Sequence, residues 1–328
     1  MRKNLLVVLA VFFTGLFFGV GQVNAQTLRL GHHHAVGGQV DQTAKLFEKL
    51  VNEKTNGKLI VKVFPGAQLG QEREAFEQLN QGILDMTFTS LGLMDKYWPP
   101  VAVETLPFIW RDWGHVEKAL TGKWAEEITN GMLKNTNARL LGILGAGFRH
   151  MLFRGEPVTK VENMKGMKMR SPEAHTWIRM FELLGAKPTP VTWGEVYSAM
   201  QTGVAEGLES PALMVLDMKF HEVTKSLVKT HHMYATMGIC INKKAYEKLS
   251  PDFQKALAEA GKEAIKWSTQ YAKEGEVRAY KLLGEKGMKV VEPENIEAWA
   301  SKVKPLWEEI ASKRPGSGDL IKLLNETK

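Results

Sequence analysis

One cysteine, Cys240, is all that the chain contains. An internal disulfide is therefore excluded, and the fold must be held by its core. Cys240 lies among Gly238, Ile239 and Ile241, the setting of a buried, inert thiol rather than of a nucleophile. Catalytic signatures are missing as well. There is no Gly-x-Ser-x-Gly, no His-Glu-x-x-His, no phosphate-cradling glycine loop and no pair of cysteines. No basic run of five or more residues occurs, and no basic motif studded with aromatics for stacking bases, so the excess of Lys and Arg reads as a solvated surface rather than a nucleic-acid site. Beyond residue 20 nothing is long and apolar enough to cross a bilayer.

What is present starts with an address. Arg2-Lys3 precede an apolar run from Leu5 to Val20, and Val23-Asn24-Ala25 fits a small-residue cleavage site. This predicts a secretory signal peptide over residues 1–25 and a periplasmic mature chain beginning near Gln26. An uncleaved anchor is the rival, disfavoured because the run is short for a span. Removing Arg2 and Lys3 takes the formal charge from +7 to +5. At 328 residues, 44% apolar and 24% charged, the chain has the makeup of a soluble globular protein too long for one small core, which predicts two lobes.

Periodicity then divides the chain. Leu28-Arg29-Leu30 reads as a strand, Gln39 to Glu53 as a helix, Leu59 to Phe64 as a strand, Gln71 to Gln81 as a helix stopped by Gly82, and Leu84 to Thr89 as a third strand ending at Ser90. This β-α-β-α-β order predicts a parallel sheet with ligands at the strand C-termini. Met167 and Met169 share one face of a short strand closed by Arg170, after which Ser171-Pro172 stops the strand and starts a helix. Lys187-Pro188-Thr189-Pro190 reads as a turn, and Thr192-Trp193-Gly194-Glu195 as a capping box opening a helix that ends at Thr202. Gln81-Gly82-Ile83-Leu84-Asp85 and Thr202-Gly203-Val204-Ala205-Glu206 repeat one pattern: helix end, glycine, two apolar residues, one acid. Either two similar lobes or coincidence explains it. Pro251 to about Glu285 lacks proline after its first residue and predicts one long helix, at ~1.5 Å per residue long enough to brace two lobes. Pro293 is expected to open a last helical stretch with Trp299 and Trp307, and Arg314 to Gly318 a loop before a terminal helix.

Arg170 and Arg149 are the leading site candidates. Exposed arginines are usually solvated, but Arg170 sits at a strand end, and Arg149 follows the small residues Gly145-Ala146-Gly147. A guanidinium presents a planar fork that matches a carboxylate or sulfonate. His32-His33-His34 and His231-His232 invite a metal reading; adjacent residues point in different directions, however, and do not chelate one ion. No metal or cofactor is expected.

Several stretches carry a family resemblance: Pro65-Gly66-Ala67-Gln68-Leu69-Gly70, Gly147-Phe148-Arg149, Met164 to Arg170, Pro188-Thr189-Pro190, Glu195 to Gly203, and Glu209-Ser210-Pro211. In this order they resemble the solute-binding subunit of the tripartite ATP-independent periplasmic (TRAP) transporters, a DctP-like family. The resemblance implies an α/β, two-lobed periplasmic binding protein fold, each lobe a central mixed sheet flanked by helices. One lobe would comprise 26–146 plus about 236–275 and the other 147–235 plus about 276–328, with a long helix spanning both. It carries the family's ligand-anchoring arginine onto Arg170 and a second ligand-contacting arginine onto Arg149. It also implies solute contacts from His33, Ser90, Trp193, Ser210, Glu209 and Tyr234. Trp193 is equally readable as a hydrophobic staple or core residue, and Glu209 as a structural brace pairing with backbone or an arginine. His33 and Ser210 stand where asparagine is common in the family. The implied function is capture of a small organic anion for a transporter with a small and a large membrane subunit, by a monomer that is not an enzyme. An exported binder of amino acids or peptides, and a periplasmic metal carrier or enzyme using the histidines, are the alternatives.

Overall fold

The computed structural model describes residues 25–327, so the expected signal peptide lies outside the described residues apart from its last position. Among the described residues, nine strands form one mixed sheet: β1 (Gln26–Gly31), β2 (Leu59–Phe64), β3 (Met86–Ser90), β4 (Ala138–Phe153), β5 (Lys168–Ser171), β6 (Lys187–Pro190), β7 (Gly207–Pro211), β8 (Ser226–Asn242) and β9 (Lys289–Val291). Their order is β2-β1-β3-β8-β4-β7-β5-β6, with β9 paired to β8. β1 runs parallel to both β2 and β3, joined by the helices Gln39–Lys54 and Glu72–Gln81, as the alternating pattern predicts. β5 runs parallel to β6 and β7 in the other half of the sheet.

Two long antiparallel strands connect these halves. β4 and β8 pair from Ala138↔Asn242 to Phe153↔Ser226, so each belongs to β3's half at one end and to β7's half at the other. Their ladder is interrupted by register shifts between Leu140 and Gly142, Gly145 and Gly147, and Arg149 and Met151. Such bulges add twist and bend a strand where it must change direction. Gly145 sits at the middle shift, and a Cβ there would overlap the hydroxyl of Tyr234. That ring is caged by Trp110, Trp113 and Phe148 and has little room to retreat. Gly145→Ala is therefore expected to destabilise the chain by about 1–3 kcal/mol through overpacking, read as a lower midpoint in a denaturant melt. An unchanged midpoint would show that the aromatic cage yields.

Alternation along the strands feeds two apolar cores. Ile239 and Ile241 join the core formed with Val40, Phe47, Leu257 and Leu283, while Cys240 joins the one with Trp124, Phe181 and Leu306. Successive residues of a strand face opposite sides, so the cores lie on the two faces of the sheet. Cys240 is fully buried. The long helix Pro251–Glu285 has the predicted limits and is opened by Ser250, whose side chain accepts from the N–H of Phe253. Its 35 residues span about 50 Å against β4 and the helix Gln39–Lys54.

The repeated helix-glycine-acid pattern is structural. Gly82 and Gly203 both end helices in the left-handed region, at φ 80° and 81°. Asp85 then accepts the backbone N–H of Arg29 at 2.9 Å, and Glu206 that of Lys168 at 2.9 Å. In each half the acid ties the start of one strand to its parallel neighbour.

Four local expectations need correction. Lys187–Pro190 is strand β6 rather than a turn; it lies at the sheet edge, where prolines lacking N–H groups are tolerated. Pro172 does not begin a helix, which starts at His175 instead. The capping box at Thr192 is not formed: Thr192 bonds the Glu195 side chain at 2.6 Å, and a 3₁₀ turn over Trp193–Glu195 precedes the helix Val196–Thr202. Pro293 does not open the last helical stretch either. Asn295 caps Ile296–Val303, and Pro305 starts a separate helix to Lys313.

Candidate functional site

Arg170 leaves the end of β5 and is 2% exposed. Its Nε and Nη2 donate to the carbonyl of Val191 at 2.9 and 2.7 Å, while Nη1 has no partner. The plane is thus pinned along one edge and open along the other. Burial is the main reason that its pKa is pushed down to about 10, with Arg149 lowering it further against the opposing pull of Glu209 and Glu72. The group stays charged but poorly solvated, a state that a bound anion relieves.

Arg149, on β4, is paired already. Its Nε meets Glu209, and its Nη2 donates to Glu209 Oε1 at 2.7 Å and to the Glu209 carbonyl at 3.1 Å. Glu209 lies on the neighbouring β7, two positions before Pro211, the register partner of Arg149, and is fully buried. Burial pushes its carboxyl up, but Arg149, with the His232 imidazole 3.7 Å away, outweighs this and holds it at about 2. Arg149 therefore lends the site a shaped, neutralised cation, whereas Arg170 lends an unneutralised one.

Both arginines line a cavity with about 90 Å³ of room for water. Its wall also takes His33 and Ser90 from the ends of β1 and β3, and Trp193 from the turn after β6. Each of these sits at or just beyond a strand C-terminus, which is where parallel strands present ligands. Trp193 faces the Arg170 guanidinium with its ring centre 5.5 Å away, packs against Phe220 and is 9% exposed. It is both cavity wall and core.

Three sequence candidates are placed otherwise. Glu209 is not among the lining residues and takes the other role expected of it, a brace, here for Arg149. Ser210 is buried with its hydroxyl on the Pro211 carbonyl at 3.3 Å, because a short strand turns alternate side chains away from the cavity. Tyr234 belongs to the aromatic cage around Trp113, and its hydroxyl is directed at Gly145.

Other wall residues escaped the sequence reading. Glu72 accepts the Ser90 N–H at 2.5 Å and faces His33 Nε2 at 3.2 Å. Gln71, His34 and Trp177 also line the cavity. The usable signal was the loop Pro65 to Gly70: the helix it opens begins with Gln71 and Glu72, at the strand-end side of the sheet. Trp177 had no such signal, since on its helix it reads as ordinary core.

The histidine run is divided among three tasks. His32 bonds Asp41 at 3.2 Å, His33 faces Glu72, and His34 packs between His33 and Trp193. Among the described residues, metal-like spacing occurs instead at His150, His231 and Glu276, with ligand atoms within 4.8 Å of one another. There the Tyr280 hydroxyl bridges the imidazoles at 2.7 and 3.4 Å.

Burial is the leading cause that lowers His33 to about 3 and His150 to about 4, and it lowers His32, His34 and His232 as well. Unfolded, these rings take up protons near pH 6.5; folded, they do not. Stability is thus expected to fall as pH drops from 6.5 toward 4, visible as a declining melting temperature. A melting temperature that stays flat across that interval would contradict the burial of these rings.

Residues 30–314 match the family model for bacterial extracellular solute-binding protein, family 7 (DctP). The sialic acid-binding periplasmic protein SiaP of Vibrio cholerae is 30% identical over 288 residues, 88% of this chain and 89% of that one. The 2,3-diketo-L-gulonate-binding periplasmic protein YiaO of Escherichia coli is 29% identical over 98% of both. Among solved structures, a TRAP periplasmic solute-binding protein from Polaromonas sp. JS666 bound to D-erythronate superposes with a TM-score of 0.88 at 26% identity, covering 92% of this chain and 99% of that one. One from Sulfurospirillum deleyianum with bound succinate gives 0.86 at 27% over 92% and 99%. Sequence and overall fold agree, and the chain belongs to the bacterial extracellular solute-binding protein family 7.

Proposed function

We propose that this chain is the extracytoplasmic receptor of a TRAP-type secondary transporter, exported to the periplasm by its N-terminal leader. It captures a small organic anion in the cavity and delivers it to a small and a large integral membrane subunit. The observation that carries this reading is the Arg170 guanidinium, buried, pinned to Val191 and open at Nη1. A fixed planar cation with one free edge suits a carboxylate or sulfonate and performs no chemistry on it. The solutes in the Polaromonas and Sulfurospirillum structures, D-erythronate and succinate, each carry a carboxylate.

The halves of the sheet act as two lobes, 26–146 plus about 236–275 and 147–235 plus about 276–328, hinged along β4 and β8. Both furnish the cavity: His33, Glu72 and Ser90 from the first, Arg170 and Trp193 from the second. A solute held by both sets has contacts in the shut form that the open form lacks, which shifts the population toward closure. Contacts between the halves support the same view. Arg73 donates to the Glu173 carbonyl at 2.6 Å, and Asp217 accepts the Gln39 N–H at 3.0 Å.

Thermal melts of the mature chain against carboxylates, sulfonates, amino acids and divalent cations test the proposal. An organic acid present at a hundredfold over its Kd is expected to add about 2.7 kcal/mol. Stabilisation by cations alone, or by peptides and not acids, would overturn it.

A further inference from the structure

We propose that His150, His231 and Glu276 form a binding site for one divalent transition ion of the zinc class, and that the bound ion fastens the long helix to β4 and β8. None of the three lines the solute cavity, so the inference stands apart from the organic-anion reading.

The first argument is convergence. Neighbouring histidines in the sequence do not chelate one ion, but these three residues come from β4, β8 and the long helix. Their ligand atoms lie within 4.8 Å of one another. His150 Nε2 and Glu276 Oε1 are 3.6 Å apart, close to the roughly 3.4 Å that separates ligands of a tetrahedral ion with bonds of about 2.1 Å. The backbone of β8 is shaped to bring in the third ligand. Between the pairs Arg149↔Met233 and Met151↔Val228, the segment from Lys229 to His232 loops out opposite the single residue His150. Within it His231 takes φ 45°, a left-handed conformation that a non-glycine residue adopts at a cost. Its ring stands edge-on to that of His150, with centroids 4.5 Å apart.

The second argument is that hydrogen bonding inside the cluster is incomplete. His231 Nδ1 donates to the Lys229 carbonyl at 3.3 Å, which places the proton there and leaves a lone pair on Nε2. His150 is fully buried, and its Nδ1 takes only a long contact, 3.4 Å, from the His231 N–H. As the looped-out peptide shifts, the ring proton moves to Nδ1 and Nε2 is left for the ion. Trp113 Nε1 holds Glu276 Oε2 at 3.3 Å, while Oε1, on the side of His150, has no hydrogen bond among the described residues. The Tyr280 hydroxyl reaches both imidazoles, at 2.7 and 3.4 Å, but one phenol proton cannot serve two rings and a carboxylate. A divalent ion takes a lone pair from all three at once. Lys229 lies over the Tyr280 ring at 5.3 Å and pairs with Glu292; its charge opposes the ion without filling the site.

Two imidazole nitrogens and a carboxylate are a donor set for Zn2+ and its neighbours, whereas Ca2+ and Mg2+ take oxygen. With the Tyr280 oxygen as fourth neighbour the set is closed, as in structural zinc sites. His231 is exposed and gives the ion its way in.

Calorimetric titration of the mature chain, made without a histidine tag, stripped with chelator and kept free of organic acids, tests the site. One Zn2+ is expected to bind tightly and to raise the melting temperature, with Ca2+ and Mg2+ at least roughly tenfold weaker. His231→Gln and Glu276→Gln are each expected to weaken Zn2+ by roughly tenfold or more, since even outer-shell partners are worth that much, and to remove the thermal gain. His175→Gln, which breaks a partly exposed histidine–glutamate pair elsewhere, is expected to keep Zn2+ affinity within about threefold. Zn2+ affinity unaltered in His231→Gln, or weakened equally in His175→Gln, would overturn the inference. So would Ca2+ binding as tightly as Zn2+, or a folded chain that binds no Zn2+. His231→Gln changes an exposed side chain and decides the matter even if Glu276→Gln does not fold. Failure here leaves the organic-anion reading standing, because solute titrations of the stripped chain do not involve these residues.

Discussion

Arg170→Ala is expected to weaken solute binding by about 2–5 kcal/mol, a rise in Kd of roughly thirtyfold to several thousandfold. A micromolar ligand has only about 8 kcal/mol in all, so most measurable affinity disappears. The same substitution is expected to leave the melting temperature of the solute-free chain unchanged or raise it. Among the described residues Arg170 hydrogen-bonds the Val191 carbonyl alone and has no carboxylate within ion-pair distance, so its removal relieves a desolvated charge rather than breaking an ion pair. Loss of binding without loss of stability is the signature of a site residue. Arg170→Lys should not rescue, because an ammonium cannot both stay bonded to Val191 and present a flat edge to an anion. Calorimetric titration and a thermal melt measure the two halves of this expectation. Affinity kept within threefold of wild type would remove the basis of the anion reading.

Glu209→Gln is expected to do the reverse and act on stability. It leaves Arg149 charged, 7% exposed and without a counter-ion, a defect that typically costs about 3–5 kcal/mol. The pair also predicts an acid limit. The Glu209 carboxyl is held at about 2 against an ordinary 4.5. A depressed carboxyl contributes its stability fully above 4.5 and loses it as pH falls toward 2. Wild type should therefore destabilise steeply through that window, and Glu209→Gln should show a shallower slope there. Equal slopes and equal melting temperatures would mean that Arg149 does not depend on Glu209.

The contrast between these two arginines marks how far the residues alone could be read. Both were visible as candidates because a guanidinium near small residues or at a strand end is unusual. Their different states were not visible, because the deciding partner of Arg149 comes from β7, 60 positions along the chain. Resemblance put Ser210 and Tyr234 at the solute as well. Strand alternation and the Gly145 bulge turned them inward instead. Glu72 was missed for the opposite reason: an acid in a first helical turn is common enough to be explained by the helix dipole alone. Only the fold puts it on the cavity wall, beside His33 and Ser90.

The amino-acid sequence by itself determined the elements whose signals are local: the parallel β-α-β-α-β opening, the glycine stops at residues 82 and 203, and the 35-residue helix from Pro251. Period, capping residue and left-handed glycine act within a few positions, so they survive reading in one dimension. Tertiary structure alone decided that β4 and β8 run the length of one sheet, that Lys187–Pro190 is an edge strand, and which cation stays unpaired. Those outcomes depend on which distant groups share a low-dielectric interior, where a missing partner matters far more than it does in water.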